Sequence, residues 1–225
     1  MKYDAKGLQV RIMRQATRFE KRDILEIGCG DGEISMDLAQ NARSYTGIDP
    51  DRERIAEALS RINPLKHNHI GFKPGSGQNL KFEDLTFDLI LFTLSLHHQN
   101  SVRALDEAYR VLKPGGHVLV VEPCVDSHFQ QFFHLFDDET LALKVACDAV
   151  ANSKFNKLTQ SHFEVTAEFE NKTELCQYHF NRTHKANDDE ERILSLLTAL
   201  YGETGEKPFQ IKDKLNLFLI EKPFD

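Results

Sequence analysis

The stretch DILEIGCGDGEIS (23–35) runs an apolar segment straight into three glycines spaced two apart, Gly28, Gly30 and Gly32. Backbone without a Cβ can approach a ligand where any side chain would collide. At the carboxyl end of a strand, such a turn sits where open α/β sheets bind their ligands. A dinucleotide fingerprint would put its third glycine three positions after the second, but Glu33 stands there. Pyrophosphate is therefore not the expected guest, and a nicotinamide oxidoreductase is disfavoured. Asp49 closes the next apolar run, SYTGID (44–49), 21 residues after Gly28; its carboxylate can accept hydrogen bonds from both hydroxyls of a ribose. Its other possible duty is to cap the following helix with Pro50 in the first turn, and the two roles are compatible. The expected ligand is nucleoside-like, without a bound pyrophosphate.

A second group of reactive side chains lies further on. His97 and His98 follow the run FDLILFTL (87–94). A neutral imidazole near pH 7 can take a proton from a hydroxyl or amine as it attacks. Successive residues leaving a strand point different ways, so at most one of the pair faces a pocket beyond it. His98 is the candidate general base, with a structural role as the alternative for both. Glu122, ending a later strand, reads as a capping or buried hydrogen-bonded acid, since position alone does not perturb a pKa. The cysteines Cys29, Cys124, Cys147 and Cys176 form no CxxC and have no histidine at finger spacing. They read as small buried residues, and no metal site is expected.

The elements that position these residues follow from periodicity. DILEIG, SYTGID, HIGFKP, FDLILFTL and HVLVVEP are strand-like and alternate with helical patterns, which predicts a parallel α/β sheet. In DRERIAEALSRI, the residues Ile55, Ala58, Leu59 and Ile62 repeat at helical spacing; SVRALDEAYRVL ends at Lys113-Pro114-Gly115-Gly116. After Pro123 the pattern changes. Phe129, Phe132, Phe133 and Phe136 form an aromatic stripe flanked by His128 and His134. That stripe is either core or the inner face of a mobile lid over an apolar acceptor. A further helix has Asn187 or Asp188 as its cap and Ile193, Leu196, Leu197 and Leu200 as its apolar face. Strand-like HFEVTAEFE and DKLNLFLIEK complete the pattern.

With 225 residues, 40% of them apolar, the chain is long enough for one sizeable core. A net charge of -7 makes nucleic acid a poor default partner, although Arg11, Arg14, Arg18, Lys21 and Arg22 form a local basic cluster that breaks the trend. No segment approaches the length of a membrane span, and the scattered cysteines fit a reducing, cytoplasmic setting.

Over Arg22 to Pro123 these residues resemble the class I S-adenosylmethionine-dependent methyltransferases, in particular the ubiquinone/menaquinone-biosynthesis-like, small-molecule branch. LEIGCGDG is similar to that family's first motif, GIDPD to its ribose-binding acid, GSGQNLKFEDLTFDLILFTLSLHH to its third strand, loop and fourth strand, and EAYRVLKPGGHVLVVEP to the approach to the fifth. The resemblance implies S-adenosyl-L-methionine as cofactor, with Glu26, Gly28, Cys29, Gly30 and Gly32 around its methionine portion. Asp49, with Pro50, would serve the ribose, and Ser76, Gly77 and Gln78 the adenine, with Thr93 completing the set. The family usually has an acid at the position of Ser76, so a neutral and weaker adenine contact is expected here.

The implied fold is a Rossmann-like, doubly wound, mainly parallel seven-stranded sheet with helical insertions after the fifth and sixth strands. One domain would span 1–225, its cofactor core 1–125 and its insertions 126–160 and 171–205 forming a substrate lid. The implied activity is methyl transfer to an oxygen, nitrogen or carbon of a small molecule. The alternative is a non-catalytic protein that keeps the pocket for regulation or assembly. Thr93-Leu94-Ser95-Leu96 stands where enzymes acting on exocyclic amines of bases carry an Asn/Asp-Pro-Pro-aromatic run.

Overall fold

The computed structural model describes residues 1–134, 138–183, 190–202 and 208–224; of Phe133, 179–183 and Glu190 it describes the backbone alone. In chain order the elements are β1 (Lys2–Tyr3), α1 (Leu8–Ala16), β2 (Asp23–Ile27), α2 (Glu33–Leu38), β3 (Ser44–Asp49), α3 (Arg52–Ser60), β4 (Ile70–Pro74), β5 (Phe87–Thr93), α4 (Ser101–Val111), β6 (Leu112–Pro123), α5 (His128–His134), α6 (Thr140–Ala151), β7 (Asn156–Phe169), α7 (Lys172–Thr183), α8 (Glu190–Tyr201) and β8 (Phe209–Glu221). A short 3-10 turn, Leu96–His98, follows β5. None of the described helices is long and apolar enough to cross a membrane.

The chain divides into two compact units. The larger comprises Val10–Glu122, Val145–Ser161 and Asn216–Asp225. Its strands run in the order β8-β6-β5-β2-β3-β4, with parallel pairing of β2 to β3 and β5, β3 to β4, and β5 to β6. Ile24, Leu25 and Ile27 of β2 are buried, as are Leu89, Ile90, Leu91 and Phe92 of β5. Strands covered on both faces need such continuous apolar runs. On α4 the buried residues Ser101, Ala104, Leu105, Ala108 and Val111 form one face, and the Asn100 side chain caps the helix by accepting from Arg103 N–H at 3.0 Å.

Three details depart from the periodicity reading. The helix α3 ends at Ser60, short of Ile62, and within it Ile55 and Ala58 are buried while Leu59 is 48% exposed. Lys113 to Gly116 do not simply end α4. They lie within β6 as a bulge, because Phe87 pairs with Leu112 and Leu89 with His117, leaving four residues opposite Asp88 alone. The strand count is eight among the described residues rather than seven: β1 pairs antiparallel with β7 through only two residues, too short to carry a period in the sequence.

The smaller unit comprises Met1–Gln9, Pro123–Lys144 and His162–Leu215, with strand order β1-β7-β8. Phe129 and Phe132, 4% and 0% exposed, pack in its core with Phe169, Leu175, Ile193 and Leu197. For these two phenylalanines the stripe is core, not the face of a lid. The Phe133 side chain and Phe136 lie outside the described residues, as do the expected caps Asn187 and Asp188. His128 Nδ1 is 2.9 Å from the Tyr201 hydroxyl, so this histidine is a packing partner of α8. Beside this core sits a buried polar knot: Ser127 Oγ and Tyr3 Oη each donate to Asp213 at 2.6 Å.

Removing the Phe132 ring should cost about 3 to 5 kcal/mol of stability through lost burial and a residual cavity, read as a drop in the denaturation midpoint of Phe132→Ala. Burial pushes the Asp213 carboxyl up to about 6 against the pull of its two hydroxyl donors, whereas in the unfolded chain it returns to about 3.9. Between those values the folded protein holds a proton that the unfolded chain releases. Stability should therefore fall by about 3 kcal/mol as pH rises through that window and level off above it. Asp213→Asn should flatten that slope in denaturant titrations run from pH 4 to pH 7.

Candidate cofactor and active site

All of the sequence-selected site residues lie in the larger unit, at the carboxyl ends of β2, β3, β4 and β5. The turn after β2 is held by Gly28 and Cys29, whose N–H groups both donate to Ile48 C=O of β3, at 2.7 and 3.1 Å. Two of its glycines are required for different reasons. Gly28 has φ +80, and a Cβ there would lie 2.4 Å from Ser95 Cβ, so the constraint is packing against the loop after β5. Gly30 has φ +55 and nothing closer to its would-be Cβ than the Arg54 guanidinium at 3.5 Å. Its backbone is the bared part of the turn.

Glu26 is fully buried in β2. Its Oε2 accepts from Ser35 Oγ of α2 and, at 2.8 Å, from Tyr45 Oη of β3. Its Oε1 makes no hydrogen bond of good geometry, and the buried Thr93 hydroxyl at the end of β5 stands close enough to stabilise the carboxylate. Burial raises the Glu26 carboxyl above the usual range, partly offset by the Ser35, Tyr45 and Thr93 hydroxyls and reinforced by the charge of Asp49. Cys29 is 6% exposed, and burial together with the Glu26 and Asp49 charges drives its thiol far above the ordinary value. It remains protonated and is a packing residue of the turn, not a nucleophile.

Asp49 is 6% exposed. Its Oδ2 accepts from Gly30 N–H at 2.9 Å and its Oδ1 from Asp51 N–H at 2.9 Å. The helix-capping duty falls elsewhere: Asp51 is the N-cap of α3, accepting from Glu53 and Arg54 N–H at 2.9 and 3.2 Å. The helix starts two residues after Pro50, too late for Asp49 to cap it, so the Asp49 carboxylate is oriented by backbone and keeps further acceptor capacity.

The loop after β4 joins the same end of the sheet, since Gly75 N–H donates to Asp49 C=O at 3.0 Å. Ser76 forms a turn, its Oγ accepting from Gln78 N–H at 3.3 Å and its C=O from Asn79 N–H at 3.2 Å. Gly77 is buried; a Cβ there would stand 2.4 Å from Gln99 Oε1 and 2.7 Å from Ile27 Cγ2. Pro50 is exposed beyond Asp49.

The two histidines separate. His97 is buried and its Nδ1 bonds the Glu122 carboxylate; His98 is exposed, its ring 3.8 Å from that of His97. Glu122, 1% exposed, also accepts from Ser95 and Leu96 N–H at 3.1 and 2.7 Å. It is a buried hydrogen-bonded acid that fixes the turn carrying both histidines. The pairing of His97 with Glu122, 25 residues away in sequence, and the Ser35 and Tyr45 donors to Glu26 were not anticipated. Only a terminal acid on β6 hinted at the first.

A model of a methyltransferase domain matches residues 25–120, and one of a hypothetical methyltransferase family matches 73–203. The chain is 30% identical over 120 residues to the uncharacterized methyltransferase YcgJ of Bacillus subtilis, covering 53% of this chain and 47% of that one. It is 31% identical over 130 residues to the ubiquinone/menaquinone biosynthesis C-methyltransferase UbiE of Rubrivivax gelatinosus, covering 56% and 49%. In sequence, the chain spans about half the length of these relatives. The YcgJ crystal structure superposes with a TM-score of 0.69 at 17% identity, over 96% of this chain and 98% of that one, and so shares the fold. The same holds for a geranyl diphosphate methyltransferase solved in complex with S-adenosylmethionine, at a TM-score of 0.64 and 14% identity over 96% and 85% of the two chains. With a family model matched over more than half its length and this fold, the chain belongs to the class I S-adenosylmethionine-dependent methyltransferases.

Proposed function

We propose that this protein transfers the methyl group of S-adenosylmethionine to an oxygen, nitrogen or carbon of a small molecule, as a single functional domain in the cytoplasm. The observation that carries the reading is the buried Glu26 carboxyl, whose Oε1 makes no hydrogen bond of good geometry, beside a bared Gly30 backbone and an oriented Asp49 carboxylate. Buried polar atoms without partners are rare in folded proteins, and such atoms at a strand end are supplied by a ligand or ordered water. These residues suit the cofactor: an ammonium to answer Glu26, ribose hydroxyls to answer Asp49, and an adenine edge against the backbone of Ser76, Gly77 and Gln78.

When bound, the cofactor supplies an activated methyl group on a sulfonium, so the protein's task is mainly positioning. Gly28, Cys29, Gly30 and Gly32 shape the turn around the methionine portion. Asp49 fixes the ribose with charge-assisted bonds. Ser76 spends one acceptor position on its own turn, and its hydroxyl keeps a second lone pair and its proton for the adenine. Glu122 and His97 hold the turn after β5, and His98, exposed at its end, is the candidate proton acceptor where the acceptor group needs one. The relatives named above include a C-methyltransferase and an enzyme named for geranyl diphosphate, which supports a small-molecule acceptor.

Asp49→Ala should weaken binding of S-adenosylhomocysteine by about 1 to 3 kcal/mol, or roughly five- to 150-fold, without unfolding the protein; calorimetry on the folded variant measures it, and unchanged affinity would move the ribose contact elsewhere. Burial holds the Glu26 carboxyl above its usual range, so it takes up a proton at higher pH than an ordinary glutamate does. Affinity should decline as pH drops through that raised value, and Glu26→Gln should bind more weakly at pH 8 with a flatter pH profile. Methyl-labelled cofactor incubated with the protein and a cell extract, followed by mass spectrometry, tests the transfer itself; label that enters no small molecule would sink the proposed activity.

A further inference from the structure

The larger unit carries a groove at the other, amino-terminal ends of its strands, which the proposed reaction does not use. It encloses about 390 Å³ and gathers five cations, Arg18, Lys21, Arg22, Arg43 and Lys113, around the Lys113–Gly116 bulge. Two of the five are already answered. Arg43 meets Asp23 at 2.7 Å and Asp88 at 3.6 Å; Lys113 meets Asp88 at 2.8 Å and Asp23 at 3.2 Å. The remaining acid at the rim, Glu20, is taken by Arg14 at 3.0 Å, and Arg14 otherwise bonds the carbonyls of Asp37, Leu38 and Gln40 at the end of α2.

Among the described residues, no carboxylate lies within ion-pair distance of Arg18, Lys21 or Arg22. Arg22 is partly buried, and its contacts are long: Asp88 C=O at 3.5 Å and His117 Nδ1 at 3.5 Å. Burial weighs against its charge, and the only carboxylate that acts on it among the described residues, Asp88, is already held by Arg43 and Lys113; a guanidinium so placed is costly unless something else completes its hydrogen bonds. Lys21 adds an independent observation. It holds the left-handed region at φ +59, pinned by its N–H donating to Asn41 C=O at 2.8 Å. Glycine would occupy that position without strain, yet a long cationic side chain stands there.

We infer that this groove is an oxyanion site, taking a small molecule that carries a phosphate or diphosphate group on Arg18, Lys21 and Arg22. Guanidinium forks match phosphate oxygens two at a time, and a lysine adds a mobile point charge. The chain's net charge of -7 repels extended polyanions, whereas a concave pocket focuses its local positive field on a compact one. The length of β2 puts roughly 20 Å of strand between Arg22 and Gly28, so this site and the cofactor turn are separate.

Inorganic pyrophosphate titrated calorimetrically into the full chain at low ionic strength tests the assignment. Binding is expected in the wild type, unchanged by saturating S-adenosylhomocysteine, and at least tenfold weaker in Arg22→Gln and in Lys21→Gly. The Lys21→Gly backbone suits φ +59, so its thermal midpoint should hold while its affinity falls, an outcome a merely structural lysine would not give. The proposal is overturned by an absence of binding to the wild type, by wild-type affinity in folded Lys21→Gly, or by competition between pyrophosphate and S-adenosylhomocysteine. Sedimentation with phosphatidic acid vesicles that pyrophosphate does not displace would assign the groove to a lipid headgroup and overturn the small-molecule reading.

Discussion

Three loops converge on one residue. The side chain of Asp49 receives the N–H groups of Gly30 and Asp51, and its carbonyl receives that of Gly75. The turn after β2, the start of α3 and the loop after β4 are thereby referenced to the last residue of β3. Charge-assisted bonds from backbone amides are stronger than neutral ones and leave little angular freedom. A carboxylate so fixed is ready to accept from a ligand without reorganising, which is the condition for tight positioning. It also explains why capping passes to Asp51: a carboxylate committed to Gly30 could not swing to cover the first turn of α3.

Two other buried acids work on the same principle at neighbouring strands. Glu122 gathers two backbone amides and the His97 ring, and Glu26 is gripped by Ser35 and Tyr45 on one oxygen only. The contrast is informative. Every oxygen of Glu122 is used within the protein, so its function is to hold a turn, whereas Glu26 keeps an oxygen in reserve. A buried acid with spare capacity is costly unless something arrives to use it.

The strands and their order of chemistry were legible because apolar runs and glycine spacing are local signals. DILEI, SYTGID and FDLILFT stand as strands, and the three glycines of the turn do adopt positive φ. What the sequence hid was long-range or too short to have a period. The two residues of β1 carry no alternation, and the bulge at Lys113–Gly116 looked like the end of a helix because Pro-Gly-Gly usually is one. The Phe129 and Phe132 stripe was readable as amphipathic, but its partners, Phe169, Leu175 and Ile193, come from elements whose proximity no spacing reveals. Likewise, choosing between His97 and His98 needed to know that Glu122 would claim the first. The placement of the methionine, ribose and adenine subsites rests on the resemblance carried by four ordered motifs, beside which the geometry stands as a compatible scaffold.

Cys29 gives the glycine turn a chemical property of its own. Sulfur is the softest nucleophile a side chain offers, and the turn is the proposed seat of a methylating electrophile. An ionised thiol there would be alkylated by the protein's own cofactor, ending its working life after one event. Enclosure beside Glu26 and Asp49 keeps the sulfur protonated, and a thiol is a far poorer nucleophile than a thiolate. The acids that ready the turn for its ligand thus also passivate it, protecting the protein from self-inflicted alkylation and from oxidants that attack thiolates.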